Sequence, residues 1–146
     1  MATPIATLRA LSDLAPLLDR LRSEGLRRRG LTLPRQRLLL LLHAEGPLVS
    51  VDVAQRTGVS PRAVTPLVDG LVEAGLARRV PHPTDRRSSL VELTAEGSRL
   101  AAEIQQAHDA FADDLLGDVP EADLATTLAV VEHVRAQLEA RAAATR

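Results

Sequence analysis

The sequence predicts a mainly α chain with a small β-hairpin, an α+β fold. Three observations predict it. Apolar residues recur every three or four positions along most of the chain, which is the spacing of one helical face. Ser, Thr or Pro stands where these segments start and Gly where they stop. One interval, residues 76–94, breaks the helical period into two short apolar runs around the turn-rich "PTDRR".

Residues 5–26 carry leucines at 8, 11, 14, 18 and 21, one face of a helix. Pro16 interrupts that face, so the helix either kinks there or begins near Ser12. Gly30 is placed to end it. Residues 31–46 form a second helix, capped by Thr32, with Pro34 in its first turn and Gly46-Pro47 as its stop. "PLVS" (47–50) is short and apolar before it turns polar. Ser50 is positioned to cap a short helix ending at Gly58. Ser60-Pro61 then starts another, with Val64, Leu67, Val68 and Leu71 as its buried stripe and Gly75 as its end. Residues 76–82 and 88–94 read as strands. Thr94 is placed to cap a helix from about Ala95 to Leu116, and "GDVPEAD" (117–123) separates it from a last helix bearing Leu124, Leu128, Val131, Val134 and Leu138.

Composition narrows the function classes. The chain has 146 residues, enough for a compact module with helical extensions. Its longest aliphatic run, Leu38–Leu42, is far too short for a membrane span. It has no cysteine, hence no disulfide, thiolate metal site or thiol switch. The N-terminus lacks the basic start and apolar stretch of a signal peptide, so a cytoplasmic protein is expected. The net charge of −1 hides an asymmetry. From Arg27 to Arg99 there are 12 arginines against seven acids, and from Leu100 onward three against nine. A basic middle beside an acidic tail fits a module that binds a polyanion.

Two helices joined by a tight glycine turn are the layout of a helix-turn-helix. Ala54 is small where the helices cross, Gly58 permits the positive φ of the turn, and Val64 packs the second helix back on the first. The following hairpin makes it a winged helix-turn-helix. At this point the chain resembles the MarR family of bacterial transcription regulators. The resemblance rests on "VSPRAVTPLVDGLVEAGLARR" and on "DRRSSLVELTAEG", which matches that family's D-x-R-x5-L-T-x-x-G pattern at Asp85, Arg87, Leu93, Thr94 and Gly97. The order α-α-β-α-α-β-β-α-α also matches.

The expected partner is double-stranded DNA. Ser60, Arg62 and Thr65 fall on the exposed face near the start of the second helix, with Asp69 a further candidate. Such a helix fits the major groove, and its N-terminus favours a phosphate. The resemblance makes Arg87 the wing-tip residue that enters the minor groove, whose negative potential suits arginine, with Asp85 bracing it. Arg86, Arg78 and Arg79 are expected on backbone phosphates, and Arg27–Arg29, Arg35 and Arg37 are weaker candidates. Pro66 departs from the pattern. It removes an N–H inside the recognition helix and is expected to bend it.

The remaining helices carry apolar stripes that must be buried on something. The resemblance assigns residues 1–30 and 100–146 to a helical dimerisation region and 31–99 to the DNA-binding domain. A homodimer then implies a pseudo-palindromic operator with half-sites about one DNA turn apart. The resemblance also implies repression relieved by a small-molecule effector, held in a cleft lined by leucines, His43 and His108. Glu24, His43 and His108 are the only zinc candidates, but Ala112 stands one turn after His108 where a second ligand would be needed, so no metal or other cofactor is expected. No enzyme is expected. Asp113 and Asp114 point about 100° apart on a helix, and Ser88-Ser89 have no base in sequence reach. The rival reading is a winged-helix protein-interaction module of the anti-repressor type. The arginines at 62, 86 and 87 argue against it.

Overall fold

The computed structural model describes residues 3–85 and 87–144, apart from the side chains of Arg22, Ser23 and Arg27. The elements in chain order are α1 (Pro4–Arg28), α2 (Leu33–Glu45), β1 (Leu48–Val49), α3 (Ser50–Thr57), α4 (Pro61–Glu73), β2 (Ala77–Pro81), β3 (Ser89–Leu93), α5 (Ala95–Leu116) and α6 (Glu121–Ala144). This is the order expected from the sequence. The three strands form an antiparallel sheet in the order β1-β3-β2.

Several helix starts differ from expectation. α1 begins at Pro4 and continues through Pro16 rather than starting at Ser12. Its start is Thr3-Pro4: the Thr3 hydroxyl accepts the Ala6 N–H at 3.2 Å and the Thr3 carbonyl accepts the Thr7 N–H at 2.9 Å. Ser50 is the first residue of α3 and not its cap, because β1 runs directly into the helix and leaves the cap position to Val49. Thr32 and Ser60 do hold cap positions with extended backbone, but neither hydroxyl makes the cap bond. The ends follow the expected chemistry. Gly30, Gly58 and Gly75 have φ of 66°, 70° and 71°. The Leu76 N–H reaches back to the Leu71 carbonyl at 2.9 Å to close α4.

The chain divides into two compact units, Met1–Gln105 and Gln106–Arg146. The core of the first contains Leu38, Leu39 and Leu42 of α2, Val53 of α3, Val64, Val68 and Leu71 of α4, and Val91 of β3. It also takes in Leu26 near the end of α1 and Ala101 and Ile104 of α5. Apolar side chains at 101 and 104 thus pack into the same core as the winged elements. In the second unit α6 buries none of its residues.

One junction ties the elements together. The Thr94 hydroxyl accepts the Gly97 N–H at 3.1 Å, capping α5, and donates to the Gly75 carbonyl at 2.7 Å. The Thr94 N–H donates to the Leu76 carbonyl at 3.1 Å. Gly97 allows this approach, since a Cβ there would overlap the Leu76 carbonyl oxygen and stand 2.8 Å from its carbon. Gly97→Ala is expected to destabilise the fold by about 1–3 kcal/mol in chemical denaturation, the typical cost of overpacking. Gly25→Ala, whose Cβ would meet Arg29 Nη1 alone among the described side chains, at 3.6 Å, is expected to be neutral or to stabilise by up to about 1 kcal/mol. Equal effects at the two positions would contradict the packing described for Gly97.

Candidate nucleic-acid interface

α4 presents two faces set by its helical period. Val64, Val68 and Leu71 are buried, with Gly70 against α2. Arg62, Thr65 and Pro66 are exposed and Asp69 is half-exposed, a row spaced 0, 3, 4 and 7. Ser60 is exposed at the cap position. The helix is continuous from Pro61 to Glu73 through Pro66. Arg62 makes no ion pair among the described residues.

The wing is the loop between β2 and β3, and its backbone is shaped by three side chains. Asp85 Oδ1 accepts the Arg87 N–H at 2.9 Å and Oδ2 accepts the Ser88 hydroxyl at 2.6 Å. The Ser88 N–H in turn donates to the Asp85 carbonyl at 3.0 Å. His82 Nδ1 accepts the N–H groups of Thr84 and Asp85 at 3.3 and 3.1 Å, which places the ring proton on Nε2. Asp85 therefore braces Arg87 through the main chain and not through its guanidinium, which is left exposed. The Ser88 hydroxyl and then the Arg87 N–H hold the Asp85 carboxyl below the ordinary aspartate range. The role of His82 was not legible in the sequence. Its Nδ1 meets these amides only once the hairpin has closed.

The strand arginines are already paired. β2 and β3 register Arg78 opposite Glu92, and these side chains pair at 2.6 Å on one face of the hairpin. Arg79 lies opposite buried Val91 on the other face and reaches Asp69 of α4 at 2.7 Å. Arg35 of α2 packs its guanidinium over Gly70. Arg37 is exposed. Arg29 donates to the Gly25 carbonyl of its own helix. Arg86 and the Arg27 side chain lie outside the described residues.

His43, at the end of α2, lines an open cavity of about 320 Å³ with Leu42, Gly46, Pro47, Glu92, Leu93 and Ser98. His108 is not among the lining residues; it is exposed on α5 in the second unit. Among the described residues no three His, Asp or Glu side chains group as metal ligands, and no helix is long and apolar enough to cross a membrane. Ser88, Asp85 and His82 meet at the wing without forming a nucleophile–base pair. The serine hydroxyl donates to the carboxylate, and the imidazole is occupied by backbone amides.

A model of the MarR family matches residues 29–88, from the end of α1 through the recognition helix and wing loop. The chain is 29% identical over 116 residues to the multiple antibiotic resistance protein MarR of Escherichia coli, covering 80% of this chain and 78% of that one. A crystal structure of a MarR family transcriptional regulator from Silicibacter pomeroyi is 29% identical and superposes with a TM-score of 0.72, over 86% of this chain and 84% of the other. Over the winged segment the chain is similar to regulators of the MarR family. Its three-stranded sheet and helices are the winged-helix fold of these regulators. An HTH-type transcriptional regulator of Bacillus subtilis, YfiV, is 33% identical over 70 residues. That match spans 48% of this chain and less than half, 44%, of YfiV.

The MarR-type wing pattern divides by physical role. Thr94 and Gly97 build the α5 junction, Leu93 pairs with Ala77 across the hairpin, and Asp85 builds the loop. Because the Asp85 carboxyl is held low, the order it gives the loop is present at neutral pH. That order is expected to be lost only as pH falls through a value below the ordinary aspartate range. Amide hydrogen exchange and chemical shifts of Arg87 between neutral pH and about pH 3 test this. Asp85→Ala is expected to bring the acid-state spectrum of the loop to neutral pH. An Arg87 amide unchanged by that substitution would contradict the bracing.

Proposed function

We propose that this chain is a MarR-type regulator: homodimeric, binding DNA sequence-specifically and acting in the cytoplasm. On this reading it represses transcription by occupying a promoter until a small molecule releases it. One observation carries the reading. Arg56, Arg78, Arg79 and Arg99 are each held by a carboxylate, whereas Arg62 and Arg87 are exposed and make no ion pair among the described residues. Arg62 stands on a helix sized for a major groove, and Arg87 on a braced loop beside it in the same fold unit. The names of YfiV and the Silicibacter protein as transcriptional regulators support the same reading.

In this reading Ser60, Arg62 and Thr65 contact bases or phosphates from the helix. Arg87 enters the minor groove, and Asp85 acts by shaping the wing. Arg86 contacts phosphates. Arg78 and Arg79 reach phosphates while Glu92 and Asp69 orient them. The cavity beside His43 is the proposed effector site, with His108 assigned to it by family resemblance alone. A ligand seated there would compete with Arg78 for Glu92, which lines the cavity. That gives it a reason to favour one wing arrangement over another.

Dimerisation is supported by exposed apolar rows on the described helices. Ile5, Leu8, Leu14 and Leu21 of α1 are 75%, 55%, 51% and 49% exposed, and Leu115, Leu128 and Leu138 of the second unit are 53%, 59% and 58% exposed. Rows of this length along a helix face are expected to be buried against a second copy. Leu26 belongs to the winged core, so the dimer is best tested without deleting α1. The double variant Leu8→Glu/Leu21→Glu is expected to sediment as a folded monomer. A folded dimer would remove α1 from the interface.

Fluorescence anisotropy against tiled duplexes from the region upstream of the chain's own gene tests the whole reading. One tile is expected to bind far more tightly than the rest. Arg87→Ala is expected to weaken that binding and to flatten the log–log salt dependence by about one unit. Uniform weak binding, unaffected by the substitution, would favour the protein-interaction reading instead.

A further inference from the structure

Pro66 is not explained by the fold. It lies mid-helix, is exposed, and contributes nothing to the core. Proline is the least favourable residue for a helix interior, since it has no N–H to donate and its ring crowds the carbonyl four residues back. That carbonyl is Arg62's. A local rule broken on an exposed face, with no packing return, is the pattern expected of a functional position.

Its neighbours say what that function faces. Pro66 shares the exposed row of α4 with Arg62, Thr65 and Asp69. Asp69 is neutralised by Arg79, so the row does not present an unpaired carboxylate to a polyanion. Arg62 and Thr65 have hydrogen-bonding groups for a base edge or a phosphate. Pro66 has none: its side chain is an apolar ring without donor, acceptor or charge. Among the edges of the major groove, the feature that rewards an apolar contact is the C5-methyl of thymine.

We propose that Pro66 is a specificity-determining residue that reads a thymine methyl in each half-site, next to the base or phosphate engaged by Arg62. The inference rests on the DNA-binding reading above. It adds the identity of a base and the residue that selects it.

Deoxyuridine in place of thymine removes this methyl and leaves every hydrogen-bonding group of the base intact, so it isolates the contact. In the tightly bound duplex, each thymine is replaced in turn, and binding of the full-length protein and of Pro66→Ala is measured by anisotropy. Alanine is the better helix former, so this variant is expected to fold, which circular dichroism checks. One thymine per half-site is expected to cost the native protein about fourfold when replaced, the worth of one buried methyl group. In Pro66→Ala the same replacement is expected to cost nothing.

Three outcomes would overturn the proposal. A penalty that persists in Pro66→Ala but vanishes in Thr65→Ser assigns the methyl to Thr65. A Pro66→Ala variant weakened on every duplex alike, with all thymine penalties intact, reduces Pro66 to a helix-shaping residue. No thymine penalty in a duplex that is nonetheless bound specifically shows that no methyl is read. Failure of the DNA-binding reading looks different: the unmodified duplexes themselves are not discriminated, and the proposal falls with it.

Discussion

The Thr94 hydroxyl accepts the Gly97 N–H in the first turn of α5 and donates to the carbonyl that ends the turn after α4, while its backbone N–H binds the carbonyl of the residue leading into β2. Two chain segments that are distant in sequence, the turn from α4 into β2 and the start of α5, are fixed by one residue. The geometry requires α5 to sit directly on the Leu76 peptide, and Gly97 is the only residue type with no Cβ to prevent it. Moving this junction would move the recognition helix and the wing relative to each other. Their spacing is what two adjacent DNA grooves would test. A stability feature and a recognition feature are the same few hydrogen bonds.

The charge pattern follows from strand register and helical period. A two-residue repeat puts Arg78 and Arg79 on opposite faces of β2, and each meets a carboxylate there. These pairs are exposed, so they contribute little to stability. Their consequence is electrostatic: Asp69 and Glu92 are neutralised close to the cations that remain unpaired. The wing uses another device. Asp85 and His82 satisfy backbone amides in a loop that has no ladder partner, leaving the Arg87 side chain outward. Loop order comes from side-chain acceptors, and the guanidinium is not spent on holding the loop.

The apolar rows of α1 and of the second unit stand apart from this logic. The winged core needs Leu26 from one and Ala101 and Ile104 from α5, and there its demand on those helices stops. Beyond them α1 carries exposed leucines and α6 exposed leucines and valines. Isolated helices are marginal in water, so the proposed second copy would supply the burial that such stripes call for.

The element order, the glycine stops at 30, 58 and 75, the buried face of α4 and the cap at Thr94 were all legible in the residues. Each depends on interactions within a few positions: a helical period, a positive φ, a hydroxyl three residues before an amide. The residues left the start of α1 open between a helix through Pro16 and one from Ser12, and Thr3-Pro4 decided it. The start of α3 was misread because β1 displaced the cap at Ser50. What the residues did not show were relations between segments: Asp69 with Arg79, Arg35 over Gly70, His82 with the loop amides, and the core reaching into α5. Those partners are set by strand register and helix crossing, which exist only after the chain has closed on itself. Sequence by itself determined the elements and the chemistry each exposes, because periodicity and capping are local. Tertiary structure decided which charges are neutralised and which remain outward, because pairing is a matter of distance in space and not along the chain.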